Sequence, residues 1–294
     1  MKSNDSLTCA RGAAADEWYT TPAMLDAGAT PYMPAMRGRD ILCPCDDLTH
    51  TTFPDWVLDH WDECRPKSLT AVAHVWDGGL LGGRGRSRTW TAPDRYSDTR
   101  LEDDGDFRSP EVTAMLAPGT LVFTNPPFSL TREFVPWVLE HDADMLIVNN
   151  LNNLTTGRTG GYLLAGRIRL AHGDIAGMGF ATPDGRRRLG FARWFTTLPE
   201  TPADPPRPLH PTRRYRGHEG EWRSYDTYPA IDCPTLADIP VDYRGVMGVP
   251  ITFADHMDAR RWRLIGILDN DASRSGRPVV DGRRTYKRLL IRRA

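Results

Sequence analysis

Lysine is nearly missing from this 294-residue chain: Lys2, Lys67 and Lys287 are the only three, although lysine and arginine together number 37. Positive charge therefore rests on arginine, whose planar fork of N–H donors suits carboxylates and phosphates. Long apolar runs are missing too. No uninterrupted stretch approaches the ~20 residues a helix needs to cross a bilayer. The segment from Met1 to Trp18 is polar and lacks the apolar core of a secretion signal. A cytoplasmic protein with no membrane partner is the expectation. Cysteine is sparse, odd in number and scattered (Cys9, Cys43, Cys45, Cys64 and Cys233), which argues against a disulfide framework. Cys43-Pro44-Cys45 has no second Cys or His pair at zinc-finger spacing, so no metal site is expected where a structural zinc would want four ligands. Internal repeats and low-complexity tracts are also lacking.

What remains is ordinary for a globular protein: 40% hydrophobic and 26% charged residues at a net charge of −1, in a chain long enough to bury a sizeable core. That near-zero charge is unevenly spread. Residues 260–294 hold eleven basic residues against three acids, a local charge of +8, while the first sixty residues lean acidic. Such a basic block suits contact with a phosphate backbone. It equally suits a solvated surface in an arginine-rich chain.

The first half alternates strand and helix signals, which predicts an α/β domain with a largely parallel sheet. Asp40 to Cys43 reads as a first strand stopped by Pro44. Phe53 to Trp61 has apolar residues at the i+4 spacing of one helix face. Leu69 to Trp76 reads as a second strand, and the Gly/Arg-dense stretch from Asp77 to Arg100 as a long loop or irregular insertion. Ser109-Pro110-Glu111 combines a capping serine, a proline at the first helical position and an acid at the positive end of the dipole. Leu121 to Phe123 predicts a short buried strand that runs straight into Asn125. A helix with Leu130, Phe134 and Val138 on one face and a strand over Met145 to Val148 follow. Open α/β sheets bind ligands just beyond the carboxyl ends of their strands, which is where Asn125 falls. In the second half, six prolines between Pro199 and Pro211 read as a linker or extended crossing. Val249 to Phe253 and Arg263 to Leu268 read as strands, and Val279-Val280-Asp281-Gly282 carries a hairpin signal. A boundary near residue 155 is expected, with a catalytic core in 1–155 and target recognition plus the remaining core elements in 156–294.

Asn125-Pro126-Pro127-Phe128 is the segment with the most chemical content. An exocyclic base amine is a poor nucleophile because its lone pair is delocalised into the ring. Two acceptors on its N–H groups, an asparagine oxygen and a carbonyl at the first proline, would favour sp³ character at nitrogen. Prolines lock φ, so those oxygens can converge, and the aromatic ring offers a stacking surface for a base extruded from a duplex. The bland alternative is a proline-rich turn after a strand. Two weaker fragments stand where a cofactor pocket would need them: Glu17 to Pro22 ahead of the first strand, and Asp104-Gly105-Asp106-Phe107 ahead of the Ser109 helix. An acid there can accept from a ribose or an adenine amine, and an aromatic ring can stack on adenine. A Gly-Asp pair is more often simply a turn.

Segments along nearly the whole chain resemble the EcoRI-type adenine-specific DNA methyltransferase family. They are residues 16–20, Leu42-Cys43-Pro44-Cys45-Asp46-Asp47, Gly105 to Ser109, Thr124 to Leu130, Arg193 to Thr196, Tyr243 to Phe253 and Tyr286-Lys287-Arg288. The resemblance implies a Rossmann-like methyltransferase sheet with a C-terminal DNA-recognition region, S-adenosylmethionine as donor, and the N6 of an adenine in double-stranded DNA as acceptor. It implies that Asn125, Pro126, Pro127 and Phe128 hold the adenine. It implies a cofactor pocket of Tyr19, Thr20, Thr21, Cys43, Cys45, Asp46, Asp47, Asp106 and Phe107, with the choice between Asp46 and Asp47 open. Arg186, Arg187, Arg188, Arg193, Lys287 and Arg288 are the candidate DNA contacts, and a cognate restriction endonuclease is the partner such a system implies. The turn after the first strand departs from the wider methyltransferase pattern, having Cys-Pro-Cys-Asp-Asp where glycines usually let a cofactor approach the backbone. The same chemistry on RNA adenine or a protein glutamine amide, and a DNA-binding module without turnover, are the alternatives.

Overall fold

The computed structural model describes residues 20–46, 48, 52–75, 83–173, 179–182, 185–188, 190–269 and 275–294. Two compact units divide the chain, Met1–Asn153 with Gly173–Asp204, and Leu154–His172 with Pro205–Ala294. In this division residues 173–204 belong with the first unit. The change of unit at Asp204/Pro205 falls inside the proline-rich stretch expected to be a linker.

The first unit is built on a mixed, mostly parallel sheet. It contains helices α1 (Pro22–Ala29) and α2 (Met33–Met36), strand β1 (Asp40–Cys43), helices α3 (Phe53–Asp59) and α4 (Trp61–Cys64), and strand β2 (Ser68–Ala73). Strands β3 (Arg86–Ala92) and β4 (Arg95–Arg100), helix α5 (Pro110–Ala114), strand β5 (Leu121–Thr124), helix α6 (Thr131–Glu140) and strand β6 (Asp144–Asn150) follow. Within this unit the sheet runs β4-β3-β2-β1-β5-β6-β10, where β10 is Ala192–Thr196. Strands β2, β1, β5 and β6 are parallel neighbours, while β3, β4 and β10 pair antiparallel. The central strands are continuous apolar runs: Leu121 to Phe123 and Met145 to Val148 are all fully buried, as expected where helices cover both faces.

Two expectations for this unit are corrected. Residues 86–100, read as part of a long loop, form the β3–β4 hairpin, in which β4 is exposed along its length and β3 buries Ser87 and Trp90. The single helix expected over 53–61 breaks at His60, giving α3 and α4. The Ser109 cap forms as expected, its Oγ accepting from Val112 N at 3.3 Å. Close packing fixes the N-terminal helix: a side chain at Gly28 would begin 1.8 Å from the Trp194 indole nitrogen, so α1 can lie on β10 only through a glycine.

The second unit contains α7 (Gly157–Leu164) and β7 (Arg169–Ala171). The first unit's β8 (Gly179–Thr182) and β9 (Gly185–Arg188) form a separate two-stranded pair. Beyond the linker come β11 (Ile231–Asp232), β12 (Met247–Pro250), β13 (Trp262–Leu268), β14 (Val279–Val280), β15 (Arg283–Arg284) and β16 (Arg288–Arg293). Strands β11-β12-β16-β13 make a four-stranded sheet over a core that includes Tyr225, Ala230, Leu268, Val280 and Leu290. The strand expected over 249–253 ends at Pro250, and Ile251–His256 is 3-10 helix instead. The Asp-Gly hairpin is present: Val279 pairs Arg284 and Val280 pairs Arg283, with Asp281 and Gly282 both at positive φ, as a two-residue turn of this kind requires.

Candidate active site

Strand order locates the site. The chain leaves β1 for β2 on one side and returns to β5 on the other, so the sheet switches direction between β1 and β5. Crevices open beyond the carboxyl ends of strands at such a switch point. Strand β5 ends at Thr124, and Asn125 is the next residue. The strand is held just upstream of that position: the Phe123 ring packs edge-on against Phe53 at 4.8 Å and stacks on Trp194 at 6.1 Å. Burying such a ring contributes about 1.5–3 kcal/mol, and well-placed aromatic pairs add about 0.5–1.5 each.

The turn after β1 reaches the same place. Thr124 Oγ1 donates to Asp46 Oδ2 at 3.0 Å, a buried contact between residues 78 positions apart that spans the switch point. Of the two aspartates left open by sequence, Asp46 is the one so engaged; Asp47 lies outside the described residues, as does Tyr19. Cys43 is buried at the end of β1, and burial pushes its thiol well up. Burial also pushes up the Cys45 thiol, reinforced by the negative charges of Asp46 and Asp106.

Gly105 fixes the turn ahead of Asp106. It sits at φ +84, and a Cβ on it would lie 2.7 Å from the Ala73 carbonyl oxygen, so only glycine lets this turn press against the end of β2. Burial raises the Asp106 carboxyl, but the Arg108 guanidinium and backbone amide outweigh it and hold the group below the usual carboxylate range. Arg108 Nη2 meets Asp106 Oδ2 at 2.7 Å and Nη1 meets Glu133 Oε2 at 2.7 Å. Arg108 thereby ties the Asp106 segment to α6, the helix that follows the motif. An open cleft of about 680 Å³ lies against Asp106, walled also by Arg84, Glu102, Asp104 and Arg108. Among the described residues, neither 43–46 nor 125–128 lines it.

Within the motif, Asn125 is half-buried with its Oδ1 sealed from solvent, Pro126 is buried, and Pro127 and Phe128 are half-buried. The chain turns into a 3-10 segment at Phe128, and Leu130 N donates to the Pro127 carbonyl at 3.0 Å. Three residues that sequence reading did not single out anchor this turn. The Phe128 carbonyl accepts from Thr131 Oγ1 at 2.8 Å and Asn153 Nδ2 at 2.9 Å. Asn149 Oδ1 accepts from the same two groups at 3.0 and 2.9 Å. The asparagine-rich run 149–153 at the end of β6, the neighbouring parallel strand, was the available signal.

Of the other expected site residues, Phe107, Arg193, Lys287 and Arg288 are engaged within the fold. Phe107 is 3% exposed and packs edge-on against Phe134 at 5.0 Å and Trp137 at 5.3 Å, so its ring belongs to the core and offers no stacking face. Thr20 is buried with no partner for its hydroxyl among the described residues, and Thr21 precedes α1. Arg193 is buried on β10, its guanidinium bonding the Gly190 and Ala192 carbonyls, which removes it as a DNA contact. Arg288 is buried against Asp232 at 3.1 Å, and Lys287 pairs Asp269 at 3.0 Å, so neither offers a free cation. Arg186, Arg187 and Arg188 fall on β9, but their side chains are outside what the structure describes.

A mostly parallel α/β sheet with Asn-Pro-Pro-Phe at its switch point has the architecture of a methyltransferase. The family described as "Adenine-specific methyltransferase EcoRI" matches residues 88–293, and the chain belongs to it. Three relatives match over nearly their whole length. Type II methyltransferase M.EcoRI of Escherichia coli is 29% identical, covering 98% of this chain and 96% of its own. Type II methyltransferase M.MpnI of Mycoplasma pneumoniae is 26% identical, covering 96% of each. Type II methyltransferase M.MgeORF184P of Mycoplasma genitalium is 23% identical, covering 97% of each. No solved structure gives a significant match. No helix among the described residues is long and apolar enough to cross a membrane.

Proposed function

We propose that this chain is an S-adenosylmethionine-dependent DNA methyltransferase that modifies the N6 amino group of an adenine in duplex DNA. The observation that carries the reading is the Thr124–Asp46 clasp across the switch point, with Asn125 immediately beyond it. Family membership supports the same reading, and the relatives' description as Type II methyltransferases supports a cognate restriction endonuclease as partner in the cytoplasm.

The residues present fit a nucleoside cofactor. Asp106, a carboxylate held below the usual range, is a fixed acceptor, and the buried Thr20 hydroxyl is an orphan among the described residues that a ligand's polar group would satisfy. Asp106 would accept from ribose hydroxyls, and Asp46, beside Cys43 and Cys45, from the amino end, with Thr20 and Thr21 closing the pocket. When bound, S-adenosylmethionine supplies an electrophilic methyl group. The chain's own contribution is to the acceptor. Asn125 Oδ1 and the Pro126 carbonyl take the two N–H groups of the adenine amine and raise electron density on nitrogen. Pro127 stiffens the turn, and Phe128 supports the extruded base, offsetting part of the few kcal/mol that unstacking costs. The Thr131–Asn149–Asn153 cluster holds the turn in that conformation. The second unit is assigned to target recognition.

The test incubates the protein with labelled S-adenosylmethionine and plasmid, RNA or protein acceptors, then identifies the modified product after digestion. N6-methyladenine in the plasmid is expected; label in RNA or protein alone overturns the DNA assignment. Asn125→Ala should lower transfer by at least about 100-fold, the scale of losing one positioned polar group, with DNA affinity largely kept. Near-normal transfer by that variant refutes the role given to the motif.

A further inference from the structure

The cations expected to meet DNA near the C-terminus, Lys287 and Arg288, are consumed inside the second unit, yet the same segment exposes others. Arg283 and Arg284 on β15 are exposed, and neither side chain makes a hydrogen bond or ion pair among the described residues. Tyr286, two residues on, is 86% exposed, the most exposed of the large hydrophobic side chains described. Two arginines on the hairpin's second strand and an aromatic ring just past its base are left in water rather than packed in the core.

The hairpin itself is rigidly mounted. The Asp226 carboxylate accepts from the turn amides of Asp281 at 3.1 Å and Gly282 at 2.7 Å, and Asp226 N donates to the Val279 carbonyl at 2.9 Å. Asp281 is ion-paired with Arg223, so the only acid in the turn is neutralised. Thr285 N donates to the Pro278 carbonyl at 2.7 Å, closing the base. Val280 points into the core with Tyr225 and Leu290, and directly opposite residues share a face, so the outer face is that of Val279 and Arg284. The result is a two-stranded ribbon, held at its turn and its base, with unneutralised arginines at the end.

We propose that the 279–286 hairpin is a reading element that enters the major groove of duplex DNA, with Arg284 on its outer face contacting base edges and Arg283, on the opposite face, and Tyr286 lying against the backbone. The inference rests on the DNA reading above. A two-stranded ribbon fits the major groove, and the arginine fork matches the paired acceptors of guanine there. Prior fixation by Asp226 lowers the ordering cost that a loose loop would meet on binding.

The test first maps the wild-type recognition sequence by sequencing methylated genomic DNA. It then measures binding of full-length R283A/R284A and R284K to a duplex with that sequence and to a scrambled duplex over a salt series. The double variant is expected to lose roughly 10- to 100-fold in affinity for the recognition duplex and clearly less for the scrambled one. R284K keeps the charge and loses the fork, so it should lose discrimination with an unchanged salt dependence. Unchanged affinity for both duplexes, or an equal loss on both, overturns the reading role. Absence of DNA methylation by the wild type would instead fail the parent assignment, while binding of the scrambled duplex would still show whether the hairpin touches DNA.

Discussion

Arg288→Ala separates a structural arginine from a DNA contact. Arg288 lies on β16, the strand flanked by β12 and β13, with its side chain 7% exposed and Asp232 10% exposed at an Nε–Oδ1 distance of 3.1 Å. The Tyr225 hydroxyl donates to the same carboxylate oxygen, and burial together with that carboxylate pushes the Tyr225 phenol well above its ordinary range. At an effective dielectric near 20, the ion pair attracts by about 5 kcal/mol, much of it offset by the desolvation of both charges. Truncating one partner gives up the attraction without recovering the carboxylate's desolvation, and such single removals cost about 3–5 kcal/mol. In urea, with a slope of about 2–3 kcal/mol/M, the unfolding midpoint of the second unit should fall by about 1–2 M, read by far-UV circular dichroism on the full chain. The Asp232→Leu/Arg288→Met double variant should recover part of that loss, because a buried pair replaced by apolar groups is close to neutral while the Tyr225 hydroxyl is left without its acceptor. A single variant that costs less than about 1 kcal/mol, or one that loses DNA affinity with its midpoint unmoved, would refute the structural assignment.

Two further outcomes follow from the site. Thr124→Val keeps the side-chain shape and removes one hydrogen bond to the Asp46 carboxylate, so it should destabilise by about 1.5–3 kcal/mol and lower methyl transfer with it; urea unfolding showing a loss under about 0.5 kcal/mol would remove the clasp from the argument. Asp106→Asn tests the ion pair with Arg108 through pH. The folded pKa of Asp106 is lowered, so its contribution is fully present above the unfolded value of about 3.9 and is lost as pH falls through the lower folded value. The stability gap between wild type and variant should therefore stay constant from pH 7 to about 5 and close only in stronger acid; a gap that already closes near pH 6 contradicts the assignment.

The parts of this protein that were legible in its sequence are those set by neighbouring residues. Asp40–Cys43, Leu121–Thr124 and the Ser109 cap are local patterns: an apolar run ended by proline, and a serine-proline-acid start. The place of Asn125 was legible because the apolar strand that ends one residue before it is written in the adjoining residues. The β3–β4 hairpin was not, because its residues are mostly polar with no regular apolar alternation, and β3 gains order by pairing with β2 and β4 by pairing with β3. Phe107 failed for a related reason: a ring beside an acid looks like a stacking platform until Phe134 and Trp137, 27 and 30 positions later, close over it.

Arginine shows most clearly where sequence reasoning runs out. Charge is a property of a residue, but whether that charge is available depends on a partner elsewhere in the chain. Arg288 and Arg284 are four positions apart in the same basic block, yet one is spent on Asp232, 56 positions away, and the other meets water. Arg193 is absorbed by carbonyls of its own strand region, and Arg108 by two acids on different elements. Cations bound inside the fold can shape a site without touching substrate, whereas an unpaired cation on a rigid hairpin has no role in the fold to explain it. With lysine all but missing, arginine does both jobs here, so counting basic residues locates a DNA-facing region far less well than finding which of them the fold leaves unneutralised.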